Sequence, residues 1–177
     1  MTGSITIQIL ALLAFCGLTV AATVTDLRSY RIPNRISLAV AGLFPVYVLA
    51  GFADAGSGFL AGGIVFAIGV FLFARGWMGG GDVKLLAAVS LWAGTELLLP
   101  MILIVSITGG IMSAVEWIRT GGLTRILSRY IPTIDVGPAL TAGREQAVVP
   151  YAAAILAGAI YGAATKGLAL TAFLETI

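Results

Sequence analysis

Residues 5–24 read ITIQILALLAFCGLTVAATV, twenty positions without a charged side chain before Asp26. As a helix at 1.5 Å per residue this run is about 30 Å long, the thickness of a bilayer's hydrocarbon core. A signal peptide would carry a basic n-region and an apolar stretch of roughly 7–15 residues. This run has neither, so it reads as a retained first transmembrane span. The whole 177-residue chain has the same character, being 59% hydrophobic and 10% charged with a mean hydropathy of +1.06. Soluble domains carry about 25% charged residues. The expected fold is therefore an all-α polytopic membrane protein, one domain over residues 1–177.

Further spans follow at about 36–52, after the helix-excluding Ile32-Pro33 step, and at about 57–74. The stretch 83–118 is too long for one span and tight for two. Gly94-Thr95-Glu96 breaks it into a short fourth helix, about 82–93, and a fifth, about 96–118. The last span, about 148–164, makes six. Placing the loop with Arg28, Arg31 and Arg35 in the cytoplasm also puts Arg75, Lys84, Arg119, Arg125, Arg129 and Arg144 there. Only Lys166 of the ten basic residues falls outside, the asymmetry that the positive-inside rule demands. The N-terminus is then expected outside. The polar segment at about 119–147 has Leu123, Ile126, Leu127 and Tyr130 at helical spacing opposite Arg125 and Arg129. It reads as an amphipathic helix on the cytoplasmic surface, attracted to anionic lipid, or as a solvated linker. Gly58/Gly62 and Gly158/Gly162 match the spacing of close helix packing, and Cys16 reads as a small buried filler.

Composition also narrows the chemistry. The chain has no histidine and one cysteine. This excludes Ser-His-Asp and Cys-His catalysis, histidine- or cysteine-ligated zinc, CxxC redox pairs and internal disulfides. A net charge of +2 makes no case for a nucleic-acid partner. Of the eight acids, Asp54 and Glu175 fall in an outer loop and the tail. Asp135 and Glu145 fall in the cytoplasmic segment, and Glu96 and Glu116 near opposite ends of the fifth span. Asp26 and Asp82 remain.

Two crossings separate them, so both belong at the cytoplasmic edge. Asp26 opens a turn that runs to Pro33, and Asp82 follows Gly79-Gly80-Gly81, which permits positive φ and leaves room beside the carboxylate for a peptide and a water. Taken singly, Asp82 could be a helix N-cap and Asp26 a partner of Arg28 or a membrane-edge anchor. Taken together they suggest an aspartyl dyad. Two close carboxylates share one proton, so one can take a proton from an attacking water while the other donates to the leaving group. An ion or proton pathway lined by the same acids is the rival reading.

The motifs Thr25-Asp26-Leu27-Arg28…Ile32-Pro33-Asn34 and Met78-Gly79-Gly80-Gly81-Asp82-Val83-Lys84-Leu85-Leu86-Ala87-Ala88 resemble those of the type IV prepilin peptidases, the GxGD intramembrane aspartyl proteases. Within them the chain is similar to the short Flp/Tad-type (CpaA-like) branch, and Val149-Pro150-Tyr151 resembles the family's closing segment. The resemblance implies that Asp26 and Asp82 are the catalytic pair and that Gly79, Gly80 and Gly81 form the active-site loop. It gives Lys84 a tuning or substrate-contacting role, against the plainer reading of a lysine snorkelling to the interface. The implied substrate is a prepilin or pseudopilin with a basic leader and an apolar helix, cut after a glycine at the cytoplasmic face of the prokaryotic inner membrane. No metal or cofactor is expected. Longer members add a cytoplasmic region with paired cysteines and many N-methylate the product; with one cysteine and an immediate first span, peptidase activity without methyl transfer is expected here. Asn34 stands where many members carry an acid.

Overall fold

The structure is a computed structural model that describes residues 2–51, 53–120 and 149–175. Its described elements are five helices: α1 (Thr2–Ser29), α2 (Asn34–Leu49), α3 (Ala55–Ala74), α4 (Gly80–Arg119) and α5 (Ala152–Glu175). Four are long and apolar enough to cross a membrane, and α2 is an apolar helix of 16 residues. The expected amphipathic segment, with Arg125 and Arg129, lies from residue 121 onward outside the described residues.

Helix α1 buries Gln8, Ala11, Phe15, Thr19, Ala22, Thr23 and Asp26, a stripe at helical spacing. Its opposite face exposes Leu10, Leu13, Val20 and Val24. The polar residues point inward and the aliphatic ones outward, the arrangement suited to a lipid solvent. Thr19 and Thr23 donate to carbonyls one turn back at 3.1 and 3.0 Å, so neither hydroxyl is stranded. The helix runs past Asp26 to Ser29, one turn further than the sequence suggested. It ends where Tyr30 takes φ 50° and its N–H reaches the Asp26 carbonyl at 2.8 Å, a left-handed helix stop. Asp26 therefore sits on a helical turn and not in the linker, which Pro33 keeps extended up to the start of α2.

The break expected around Gly94 is present inside α4, where that residue has φ 67° and ψ −178°. Only glycine takes this conformation without about 1–3 kcal/mol of strain. The Thr95 N–H donates to Ser57 Oγ at 2.8 Å, and the two hydroxyls bond at 2.9 Å, fixing the break against the start of α3. The arm before it, residues 80–93, is about 21 Å long, short for a bilayer. It buries Val83, Leu85, Ala87, Ala88, Val89, Ser90, Trp92 and Ala93. An arm buried nearly all round is an inner helix, so its length need not match the lipid. Trp92 is its hub. The indole stacks near Phe15 and Tyr47, at 4.6 and 5.1 Å between centroids, and donates to the Val40 carbonyl at 3.0 Å.

Glycines let these helices touch. An added Cβ at Gly58 would strike Phe44 and the Leu91 carbonyl, and one at Gly62 would lie 2.7 Å from Leu91. At Gly158 it would lie 2.6 Å from Val105, whereas Gly162 has no atom within 4 Å, so that half of the second pair does not serve close packing. Gly94→Ala is expected to lower stability by about 1–3 kcal/mol, since its Cβ would also press to 2.9 Å from Ser57 Oγ. Thermal unfolding in detergent reads this, with Gly63→Ala as a control in open space; an unchanged midpoint for Gly94→Ala would refute it.

Candidate functional site

The last turn of α1, the linker to α2 and the starts of α4 and α5 converge at one end of the bundle. Asp26, 6% exposed, accepts the backbone N–H of Ala152 on Oδ2 at 3.1 Å. Thr23, one turn earlier, donates to the Ala152 carbonyl at 3.1 Å. The first N–H groups of a helix lack intrahelical partners and carry its positive end. The Asp26 carboxylate is thus held by the start of α5 and not by Arg28.

Asp82 occupies the third helical position of α4, behind Gly79 at the N-cap. Its carboxylate takes a hydrogen bond from the Gly79 backbone, the reach-back of a capping box. Asp82 thus supports its helix end, though from three residues in and not as the N-cap itself. The two carboxylates lie near enough for the charge of Asp26 to act on Asp82. Among the described residues each accepts one backbone N–H, and a carboxylate has further acceptor capacity for a shared proton or a water.

The three glycines admit different neighbours. A Cβ at Gly79 would lie 2.7 Å from Asp82 Oδ2, so that glycine makes room for the carboxylate. At Gly80 it would lie 3.2 Å from the Phe73 ring, and at Gly81 3.1 Å from Ile32 Cβ. Much of the space expected for a bound peptide is therefore filled by the end of α3 and the linker, and Gly81 locks the DLR–IPN segment against the GGGD turn. Lys84 is exposed and turns away from the pair, donating to Asn34 Oδ1 at 2.9 Å. Among the described residues no cluster of three or more acids or cysteines is placed to hold a metal.

The other acids among the described residues scatter. Glu116 shares a cavity of about 360 Å³ with Tyr30, Arg119 and Pro150 on the α5 side of Asp26. Glu96 is at the opposite end, interacting with the charge of Lys166. The Lys166 amine sits 5.7 Å from the Tyr47 ring, whose hydroxyl accepts from Gln8 at 3.3 Å. Asp54 caps α3, accepting from Gly56 and Ser57 at 3.3 and 2.7 Å. Sequence reading missed Thr23 and Ala152. The Thr19-Thr23-Asp26 spacing, one polar face in an apolar helix, was the available sign for the first. Nothing local marks Ala152.

A model of the type IV leader peptidase family matches residues 13–114, an interval that contains Asp26 and Asp82. The prepilin leader peptidase/N-methyltransferase of Escherichia coli K12 is 35% identical over 140 residues, covering 74% of this chain. The chain spans 58% of the length of that curated relative. No solved structure matches the chain significantly.

Proposed function

The chain belongs to the type IV leader peptidase family, and from that premise we propose that it is a membrane aspartyl endopeptidase that trims the leaders of prepilins or pseudopilins. One observation carries the mechanism: two carboxylates from different helices, interacting at the same end of the bundle beside a glycine turn. Asp26 and Asp82 share one proton. A water between them gives a proton to the ionised carboxylate as its oxygen bonds the scissile carbonyl carbon, and the neutral carboxyl protonates the carbonyl oxygen. The tetrahedral diol then collapses, the C–N bond breaks and the leaving amine takes a proton from the pair. The backbone donors from Ala152 and Gly79 keep both carboxylates oriented through the cycle. Against the ion-path reading, the acids among the described residues do not string along the bundle: Asp26 and Asp82 share one end, and Glu96 is at the other beside Lys166.

The same proposal sets six crossings, with α4 contributing two arms, the N-terminus outside and the aspartates at the cytoplasmic face of the inner membrane. The charge asymmetry of the loops supports it. Leader cleavage there would fall after a glycine, between a basic segment in the cytoplasm and an apolar helix in the bilayer. Coexpression with a prepilin in cells lacking their own leader peptidase tests the reading, with the new N-terminus mapped by mass. An inserted chain that leaves the prepilin uncut would overturn it.

Lys84 has a lesser part. Its bond to Asn34 braces the start of α2 against α4, so it is a positioning residue and not a member of the pair. An exposed hydrogen bond contributes about 0.5–1.5 kcal/mol. Lys84→Met is therefore expected to keep cleavage within about tenfold of the native rate. A loss comparable to that of the aspartate variants would move Lys84 into the chemistry.

A further inference from the structure

Helix α5 starts without the short polar side chain that usually caps a helix: its entry reads Val149-Pro150-Tyr151-Ala152. The Ile155 N–H bonds the Tyr151 carbonyl at 3.1 Å, which makes Ala152 the first helical residue, with no partner for its N–H inside α5. The cap comes from α1 instead. Asp26 Oδ2 accepts the Ala152 N–H at 3.1 Å, and Thr23, one turn back, donates to the Ala152 carbonyl at 3.1 Å. Two side chains of one helix thus hold both backbone polar groups of a single residue on another.

Neither partner needs the bond between Thr23 and Ala152 for its own satisfaction. The Thr23 hydroxyl already reaches the Thr19 carbonyl at 3.0 Å inside α1, and a helical carbonyl has the N–H four residues on as its partner. Thr19, also buried, makes only bonds of the first kind among the described residues, to the Phe15 and Cys16 carbonyls at 3.1 and 2.9 Å. The link from Thr23 to α5 therefore rescues no stranded group. What it fixes is the place of Ala152 relative to α1. The residue before Ala152 is tied down from the other side. The Tyr151 ring lies against Gly109 of α4, where an added Cβ would come within 3.2 Å of it. Its hydroxyl pairs with Ser113 Oγ at 3.1 Å, one turn further along α4. The start of α5 is held between two helices, and a carboxylate oriented by one N–H is only as well placed as that N–H.

We propose that Thr23 and Tyr151 are positioning residues for Asp26: they fix Ala152, and Ala152 fixes the carboxylate. Neither touches the reacting atoms, and the reaction they serve rests on the peptidase reading. Thr23→Val keeps the shape of the side chain and removes its hydroxyl. A shift of about 1 Å in a catalytic group costs roughly 10²-fold in rate, so kcat for prepilin cleavage is expected to fall about ten- to a hundredfold with KM near native. Thr23→Ser keeps the donor and is expected to stay close to the native kcat. So is Thr19→Val, which removes a buried hydroxyl that has no bond to α5. Tyr151→Phe keeps the ring on Gly109 and loses only the Ser113 bond, for an expected loss in kcat of about three- to tenfold. Hydrogen exchange of the Ala152 amide in detergent needs no substrate, and it is expected to speed up about tenfold in Thr23→Val but not in Thr23→Ser. Native kcat in Thr23→Val, an equal fall in Thr23→Ser or Thr19→Val, or native exchange at Ala152 would overturn the assignment. If the native chain cuts no prepilin the peptidase reading fails by itself, and the Ala152 amide still decides whether Thr23 holds the start of α5. Should Thr23→Val fail to accumulate, Tyr151→Phe makes the same comparison at a side chain that is 42% exposed.

Discussion

Asp26→Asn and Asp82→Asn are each expected to reduce leader cleavage at least about a thousandfold while the protein still inserts and accumulates. General acid–base groups contribute on the order of 10²–10⁴-fold, and each substitution removes one half of a proton-sharing pair. Asparagine separates chemistry from structure in this site. Its carbonyl oxygen can still accept the Ala152 N–H at position 26, or the Gly79 N–H at position 82, so the ties between α1 and α5 and at the start of α4 survive. Alanine cannot do this. Asp26→Ala would leave the buried Ala152 N–H unpaired and lose a further ~1–3 kcal/mol of stability. The expected pattern is thus equal loss of cleavage for Asn and Ala at position 26, with a lower unfolding temperature only for Ala. Cleavage retained by either Asn variant would refute the pair. A fall in stability for Asp26→Asn as large as for Asp26→Ala would make that residue a structural cap first.

The helices themselves were readable because hydrophobic length is a strong signal in a chain with so few charges. The break in α4 was readable because Gly94-Thr95-Glu96 interrupts an apolar run. The common end of the two aspartates followed from counting crossings. What escaped was set by contacts distant in sequence. The bond that holds Asp26 comes from a residue 126 positions away, and an apolar helix start gives no hint that its N–H is spoken for. The last turn of α1 was hidden for a different reason: Tyr30, and not a glycine, takes the left-handed conformation that stops it. The central position of residues 80–93 was invisible as well. Beyond Lys84 the arm is apolar on almost every face, and such a run has no periodicity to show which side is inside. Gly162 misled because spacing alone cannot tell a glycine that admits a neighbour from one that faces open space.

The Gly79→Ala substitution should separate geometry from charge. Gly79 has φ −70° and ψ 142°, an extended conformation that alanine adopts freely, so the backbone resists nothing. The added methyl would lie 2.7 Å from Asp82 Oδ2, closer than the two atoms can approach. The carboxylate is the free end of a side chain and can swing aside, which makes the change cheap for the fold and costly for the site. A displacement of about 1 Å in a catalytic group is worth roughly 10²-fold in rate. Cleavage by Gly79→Ala is therefore expected to fall about a hundredfold in kcat, with KM and unfolding temperature near native. Gly81→Ala meets Ile32 at 3.1 Å instead, away from the carboxylates, and its loss should be smaller and shared with stability. If Gly79→Ala cleaves at the native rate, the position of the Asp82 carboxylate seen here is not the one that catalysis uses. If it loses stability instead of rate, the glycine serves the capping of α4 and not the dyad.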